Sequence, residues 1–303
     1  TRIRQKSSDL RRIVQTALER DIKKYDLQLT QMEDTKKRKK YRIYGELLNT
    51  YGYSAKPGDR SLTAVNYYTN EPVTIPLDPT LSATENAKKY FDKYSKLKRT
   101  YEALSELTCQ VKEEIDHLET ISTALDIALK EEDLVEIKEE LTQSGYIRRK
   151  GGTKKAKITS RPFHYLSSDG FHIYVGKNNF QNDELTFKFA TGNDWWFHAK
   201  GIPGSHVVVK TEGKELPDRT FEEAGRLAAY YSKGREQEKV EIDYVQKKQV
   251  KKPAGAKPGF VVYYIAQNGF HLLGADGHLG REVCGQGCAV RQQGDTFYHR
   301  QKR

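Results

Sequence analysis

From Ala87 onward Tyr90, Leu97, Leu104, Val111, Leu118 and Leu125 step by seven, and Tyr94, Tyr101, Thr108, Ile115, Ser122 and Leu129 repeat that step at an offset of four. This is the heptad seam of a coiled coil. A second stripe lies upstream, where Leu10, Val14, Leu18, Ile22, Tyr25, Leu29 and Met32 recur at steps of three and four. The two stripes predict long antiparallel helical arms within one chain, with a parallel homodimer as the alternative. Tyr, Thr and Ser on the seam weaken its packing, which suits a spacer better than a tight zipper. Between the stripes the period changes to two. Leu62 to Tyr68 and Val73 to Leu77 predict two short strands around Thr69-Asn70-Glu71-Pro72, and Ser82 with Glu85 makes a capping box for the second arm. Gly145 supplies a helix stop. Residues 1–146 therefore read as antiparallel arms carrying a small β tip.

Beyond residue 160 the pattern alternates again. Phe163 to Leu166 and Phe171 to Val175 predict a hairpin about Ser168-Asp169-Gly170, and Gln181 to Ala190 predicts a helix. Strands follow on either side of Gly201-Ile202-Pro203-Gly204, then a helix over Thr220 to Ser232 and strands over Val240 to Val245 and Phe260 to Ile265. The order β-β-α-β-β-α-β-β points to a mixed α+β domain over 161–266, so the fold class of the chain is α+β. Residues 147–160 read as a basic linker, carrying Arg148, Arg149, Lys150, Lys154, Lys155 and Lys157 and no acid. Residues 267–303 read as an atypical tail, disordered or non-native.

Charge narrows the class of partner. The 303 residues hold 52 Lys and Arg against 41 Asp and Glu, a net charge of +11, which favours a polyanion. No apolar run approaches the roughly 20 residues that span a bilayer. Three cysteines, Cys109, Cys284 and Cys288, are too few for a disulfide framework and fit a reducing compartment, so a cytoplasmic location is expected. The chain starts Thr1-Arg2-Ile3 without an initiator methionine and reads as a piece of a longer protein.

The densest candidate chemistry is the stretch from Asp194 to Lys210. Alternation places Trp196, His198 and Lys200 on one face, where a ring can stack on an unpaired base and a cation can meet phosphate; the plainer reading makes the tryptophans core. Lys177, Asn178 and Asn179 form a polar exit from the hairpin, and His206 follows the Pro203-Gly204 turn. Lys247, Lys248, Lys251, Lys252 and Lys257 lie in a Gly- and Pro-containing loop without an acid, which repels itself unless it meets an anion. These are the candidate RNA-binding residues. The run Lys36 to Lys40 is either a phosphate contact or a solvated helix face. Asp194 with His198 and His206 raises an acid-base or metal site, but no Gly-rich phosphate loop, nucleophile elbow or His-Glu-x-x-His stands beside it, so no catalytic residue, metal or cofactor is assigned. Cys284 and Cys288 with His271, His278 and His299 raise zinc in the tail, against which stands the lack of a second spaced pair.

Asp169-Gly170, Val175-Gly176-Lys177-Asn178-Asn179, Gln181-Asn182-Asp183, Asp194-Trp195-Trp196-Phe197-His198, Pro203-Gly204-Ser205-His206-Val207-Val208 and the run from Val250 to Gly259 resemble the NFACT-R domain, in its order. Tyr44-Gly45-Glu46-Leu47-Leu48, Asn66-Tyr67-Tyr68 and Ile75-Pro76-Leu77-Asp78-Pro79 resemble the middle coiled coil of the same family. On these motifs, which run over about residues 1 to 264, the chain is identified as a member of the NFACT family. These are RqcH-like ribosome quality-control factors, also known as the fibronectin-binding protein A family. The resemblance implies binding to an obstructed large ribosomal subunit carrying peptidyl-tRNA, recruitment of alanyl-tRNA, and template-free alanine tailing of the stalled chain. The older name implies an alternative, a surface adhesin for fibronectin. The family's upstream tRNA-selecting region is not recognised in the sequence, and after Tyr263-Tyr264 the tail departs from the family. The fragment is expected to bind as a monomer and to carry no catalytic centre.

Overall fold

The computed structural model describes residues 2–149 and 158–263, with the backbone of three short strands at His271–Leu272, Val290–Arg291 and Phe297–Arg300. Lys150, Lys154, Lys155 and Lys157 of the linker lie outside the described residues, as do the side chains of the tail, its cysteines and histidines included. The chain divides into two compact units, Lys23–Gln110 and Thr1–Ile22 with Val111–Arg303. Compactness thus cuts across the boundary that composition suggests near residue 146.

In the Lys23–Gln110 unit the end of α1 (Arg2–Asp34) runs antiparallel to the first part of α3 (Ala83–Ile127). The Thr108 hydroxyl donates to Met32 Sδ at 3.6 Å, and the Arg38 guanidinium lies 4.1 Å over the Tyr101 ring. α2 (Arg38–Tyr51) leads to a hairpin of β1 (Ser61–Asn66) and β2 (Glu71–Pro76), in register from Ser61↔Pro76 to Asn66↔Glu71. Alternation turns Leu62 and Ala64 inward with Ile75, where they pack with Tyr44, Leu47, Leu48, Ala87 and Tyr90. Gly45 is required there, since a Cβ would stand 2.8 Å from the Phe91 ring. The capping box forms as expected, with Ser82 N donating to Glu85 Oε2 at 2.8 Å and Glu85 N to Ser82 Oγ at 3.2 Å.

In the other unit the start of α1 pairs antiparallel with the end of α3. Arg11 Nη1 meets Asp126 Oδ1 at 2.5 Å, and Lys6 pairs with Glu131. Leu10, Val14, Val111, Ile115, Leu118 and Leu125 are buried, as the stripes require. Two expected positions are exposed instead. Ile22 is 43% exposed while Asp21 beside it is buried, its carboxylate held by Arg20 at 2.8 Å. Leu129 is 68% exposed because the second arm breaks there into α3 and α4 (Glu131–Gln143). Asp133 causes the restart: its Oδ2 accepts the backbone N–H of Leu129 and of Lys130, each at 3.0 Å, satisfying donors that a new helix leaves open.

The same unit holds an antiparallel sheet in the spatial order β7-β5-β6-β4-β3, from β3 (Phe163–Leu166), β4 (His172–Val175), β5 (Trp195–Ala199), β6 (Val207–Lys210) and β7 (Lys239–Gln246). The backbone of Phe297–Arg300 pairs outside β7. α6 (Asp218–Tyr230), rich in alanine, packs one face over Ile173, Val175, Phe197, Val207, Val209 and Ile242. The opposite face is covered by α5 (Asn179–Glu184), the π-helical turn Leu185–Phe189, and the pair β8 (Val250–Lys251) and β9 (Val262–Tyr263).

Three candidate RNA residues lie in the seam between this domain and α4, and the structure corrects their exposure. Asp133, Glu136 and Glu140 follow at steps of three and four, so one face of α4 presents three buried carboxylates. Lys177 Nζ donates to Asp133 Oδ1 at 3.1 Å, where Ser160 Oγ also donates at 2.6 Å. Asn178 and Gln181 each donate a side-chain N–H to Glu136 Oε2 at 2.7 Å. Asn179 donates to Glu140 Oε1 at 2.7 Å, which also meets His117 Nε2 at 2.9 Å. Lys177, Asn178 and Asn179 are thus a structural lock, buried because a row of carboxylates needs donors on its dry side. Two glycines fit this seam. A Cβ on Gly176 would sit 2.1 Å from Asn182 Oδ1, and one on Gly259, whose φ is +80°, would sit 2.3 Å from Asn179 Oδ1. The expected close approach of backbone to a ligand is here an approach to the protein's own side chains.

Asp133 and Glu136 respond to burial with opposite net shifts. Burial pushes the Asp133 carboxyl up, but Ser160, Lys177 and the backbone donors outweigh it and hold it below its ordinary value. Burial pushes Glu136 up, and the Asn178 and Gln181 hydrogen bonds only partly oppose it. Asp133 therefore contributes stability that is present above the unfolded carboxyl pKa, about 3.9, and is lost as pH falls through its lower folded value. Glu136 does the reverse, its contribution fading as pH rises from about 4.3 through its raised folded value. Asp133→Asn should cost about 3–5 kcal/mol at neutral pH, since it strands the Lys177 ammonium, and the difference from the parent should shrink below pH about 4. Glu136→Gln keeps an acceptor oxygen and should lose little or gain. Denaturant melts across pH measure both; equal losses at every pH would refute the assignment.

Candidate nucleic-acid interface

The motif stretch at Asp194 builds the interior. Trp196 is 0% exposed and packs with Val208, Val245, Val250 and Tyr263 on the face covered by α5 and β8–β9. Its ring stacks on His198 at 5.6 Å and meets His206 edge-on at 5.1 Å. The alternation is as expected, but the face carrying Trp196 and His198 is roofed over. His206 is buried, its Nδ1 2.8 Å from Thr186 Oγ1 and its backbone N–H donating to Asn182 Oδ1 at 3.0 Å. Burial lowers the pKa of His198 despite Asp243, and burial with the neighbouring His198 holds His206 well below its ordinary value. Both shifts favour the neutral imidazole, which does not neutralise phosphate. Asp194 staples two loops: it accepts from Thr191 N at 2.7 Å, Thr211 N at 3.0 Å and Lys210 Nζ at 2.5 Å. Lys200 is half-buried and paired with Glu241.

The lysine loop stands at the surface. Lys248, Lys251 and Lys252 are exposed, while Lys247 and Lys257 are half-buried. Backbone bonds from Lys247 N to Asp194 O at 2.8 Å and from Lys248 N to Gly192 O at 3.0 Å fix its start. Lys252 pairs with Asp183, and the ammonium groups of Lys247 and Lys252 lie 5.8 and 6.0 Å from the Phe187 ring.

Beside this loop the sheet carries an aromatic row not foreseen from the sequence. His164 stacks on Tyr174 at 4.5 Å with 8° between planes, His172 stacks on His164 at 4.9 Å, and Tyr174 meets Phe189 edge-on at 4.7 Å. Lys210 lies 4.9 Å over Phe189, itself 40% exposed. The π turn, closed by Ala190 N to Leu185 O at 2.8 Å, brings Phe187 and Phe189 to this side, with Lys188 exposed between them. The available signal was the alternation of the hairpin: once Ile173 and Val175 face α6, His164, His172 and Tyr174 must face away. Aromatic rings among lysines suit single-stranded nucleic acid, bases stacking on the rings and phosphates meeting the ammonium groups. Among the described residues no group of three or more His, Cys, Asp or Glu could hold a metal ion, and no helix is long and apolar enough to cross a membrane.

Comparison with known proteins agrees with this architecture. Residues 1–160 match the NFACT N-terminal and middle domains, and residues 161–264 match the NFACT protein RNA binding domain. The chain is similar to the Rqc2 homolog RqcH of Streptococcus pneumoniae, 42% identical over 265 residues, which is 86% of this chain and 47% of that protein. It is also similar to the Rqc2 homolog RqcH of Bacillus subtilis, 39% identical over 267 residues, covering 86% and 46%. The chain thus spans about half the length of the curated relatives it matches. Among solved structures, the C-terminal part of the fibronectin/fibrinogen-binding protein from Streptococcus suis superposes with a TM-score of 0.67 at 37% identity, covering 87% of this chain and 92% of that one. With both domain matches running in order over residues 1–264, the chain belongs to the NFACT family.

Proposed function

We propose that this chain is an RNA-binding part of a ribosome quality-control factor, one that engages the obstructed large ribosomal subunit and tRNA in the cytoplasm and supports template-free alanine tailing. It acts by binding, not by catalysis. The observation that carries this reading is the surface on which Tyr174, Phe187 and Phe189 are ringed by Lys188, Lys210, Lys247 and Lys252. The similarity to proteins named RqcH and the match to an RNA binding domain support it. An adhesin needs no such row of stacking rings among cations, and fibronectin binding serves as the competing outcome of the test.

If Lys247, Lys248, Lys251 and Lys252 meet four phosphates, log K for single-stranded RNA should fall with log salt with a slope of about −3. Replacing the four by Ala should flatten that slope. Tyr174→Ala or Phe189→Ala should cost about 1–3 kcal/mol of binding at every salt concentration. Fluorescence anisotropy with single-stranded RNA and tRNA, and co-sedimentation with large subunits, measure both. Folded variants that keep full affinity would sink the reading, as would saturable fibronectin binding at physiological salt without RNA binding. Trp196→Ala, by contrast, should cost about 3–5 kcal/mol of folding stability and leave the salt slope of the surviving folded fraction unchanged.

A further inference from the structure

The face of the sheet under α6 ends in an open cleft of about 920 Å³. Trp195, Phe221 and Tyr244 wall it, with ring centroids 5.4 Å apart for Trp195 and Phe221, 4.4 Å for Phe221 and Tyr244, and 6.1 Å for Trp195 and Tyr244. The planes are turned across one another by 77°, 89° and 54°, so the rings line a corner instead of closing into one stack. Trp195 is partly exposed, unlike the sealed Trp196.

The rim has the opposite sign to the chain as a whole. Glu215, Asp218 and Glu222 line the cleft against one ammonium, Lys214, in a chain of net charge +11. Glu222 pairs with Arg226, whereas Glu215 and Asp218 make no ion pair among the described residues. Carboxylates repel a phosphate backbone, but carboxylates and π faces both attract a cation. A long basic side chain would lay its aliphatic stem on the rings and its charge at the rim, and a planar guanidinium stacks better than an ammonium. We propose that this cleft receives the arginine side chain of a basic protein segment. RNA binding at the lysine face is not required for this contact.

The test titrates the chain with an arginine-rich peptide, with the same peptide carrying citrulline for arginine, and with poly(U) RNA. Calorimetry gives affinities, and tryptophan fluorescence reports on the cleft because Trp196 is sealed. The arginine peptide should bind and perturb the fluorescence, and the neutral citrulline peptide should bind about tenfold more weakly or worse. Combined Glu215→Gln, Asp218→Asn and Glu222→Gln should weaken the arginine peptide by a similar factor while leaving poly(U) affinity unchanged, and Trp195→Ala should do the same. The rim side chains are surface groups, so the charge variant decides the matter if Trp195→Ala fails to fold. Equal binding of the two peptides, full affinity in the charge variant, or loss of poly(U) binding in a folded Trp195→Ala would overturn the proposal, the last by placing a nucleobase in the cleft.

Discussion

Three carboxylates buried on one face of α4 cannot stand unless the surface packed on them supplies donors, and this requirement organises the larger compact unit. Asp133, Glu136 and Glu140 meet it in three ways: an ammonium with a hydroxyl, a pair of amides, and an amide with an imidazole. Four of these groups come from one short run, Lys177 to Gln181, where β4 gives way to α5, and Ser160 and His117 supply the other two. A polar seam of this kind adds little net stability compared with apolar packing. Its value is positional, because a shift of one residue in α4 would strand charges in a dry interface.

The sheet divides its two sides by what covers them. Ala224, Ala228 and Ala229 let α6 lie close on one face, so large residues of β5 and β7 fill the space between. On the other face the cover is short and irregular, and it leaves the β3–β4 end open to solvent. The same alternation that buries Trp196 at the centre of that face therefore exposes His164 and His172 at its edge and leaves Tyr174 half-buried beside them. Burial shifts His198 and His206 toward the neutral form, which takes charge away from the centre and leaves it to the lysines at the margin.

Much of the fold was legible from periodicity. The heptad stripes, the β tip with its capping box and the strand and helix order of the second domain all follow from spacing, because each element must bury one face. The failures share a cause, namely that periodicity finds a face but not what lies against it. Ile22 and Leu129 satisfy the stripe arithmetic, yet a buried Asp21 and the restart of α4 at Asp133 displace them. Trp196, His206, Lys177, Asn178 and Asn179 looked like surface chemistry because they are polar or amphipathic and crowded together. Crowded specific residues are also what a buried polar network demands, and a single sequence does not distinguish the two. The lysine loop lies largely at the surface, with Lys252 paired to Asp183, since a run of like charges without acids of its own cannot be gathered inside.

The buried motif still bears on the exposed face, at one remove. Asn178 Oδ1 accepts the Gln181 backbone N–H at 3.0 Å and so caps α5, while its amide nitrogen is tied to Glu136. α5 runs directly into the π turn that turns out Phe187 and Phe189. On the far side Asp183 accepts the Gly259 N–H at 2.9 Å and pairs with Lys252, which ties the lysine loop to the same short helix. One six-residue helix is therefore anchored below by the carboxylates of α4 and carries on its other side both the rings and, through Asp183, the middle and end of the cationic loop. A helix that short has no intrinsic stability in water. The aromatic and cationic groups consequently owe their common placement to the seam beneath them, which is why residues that touch no ligand can be as exacting in identity as those that do.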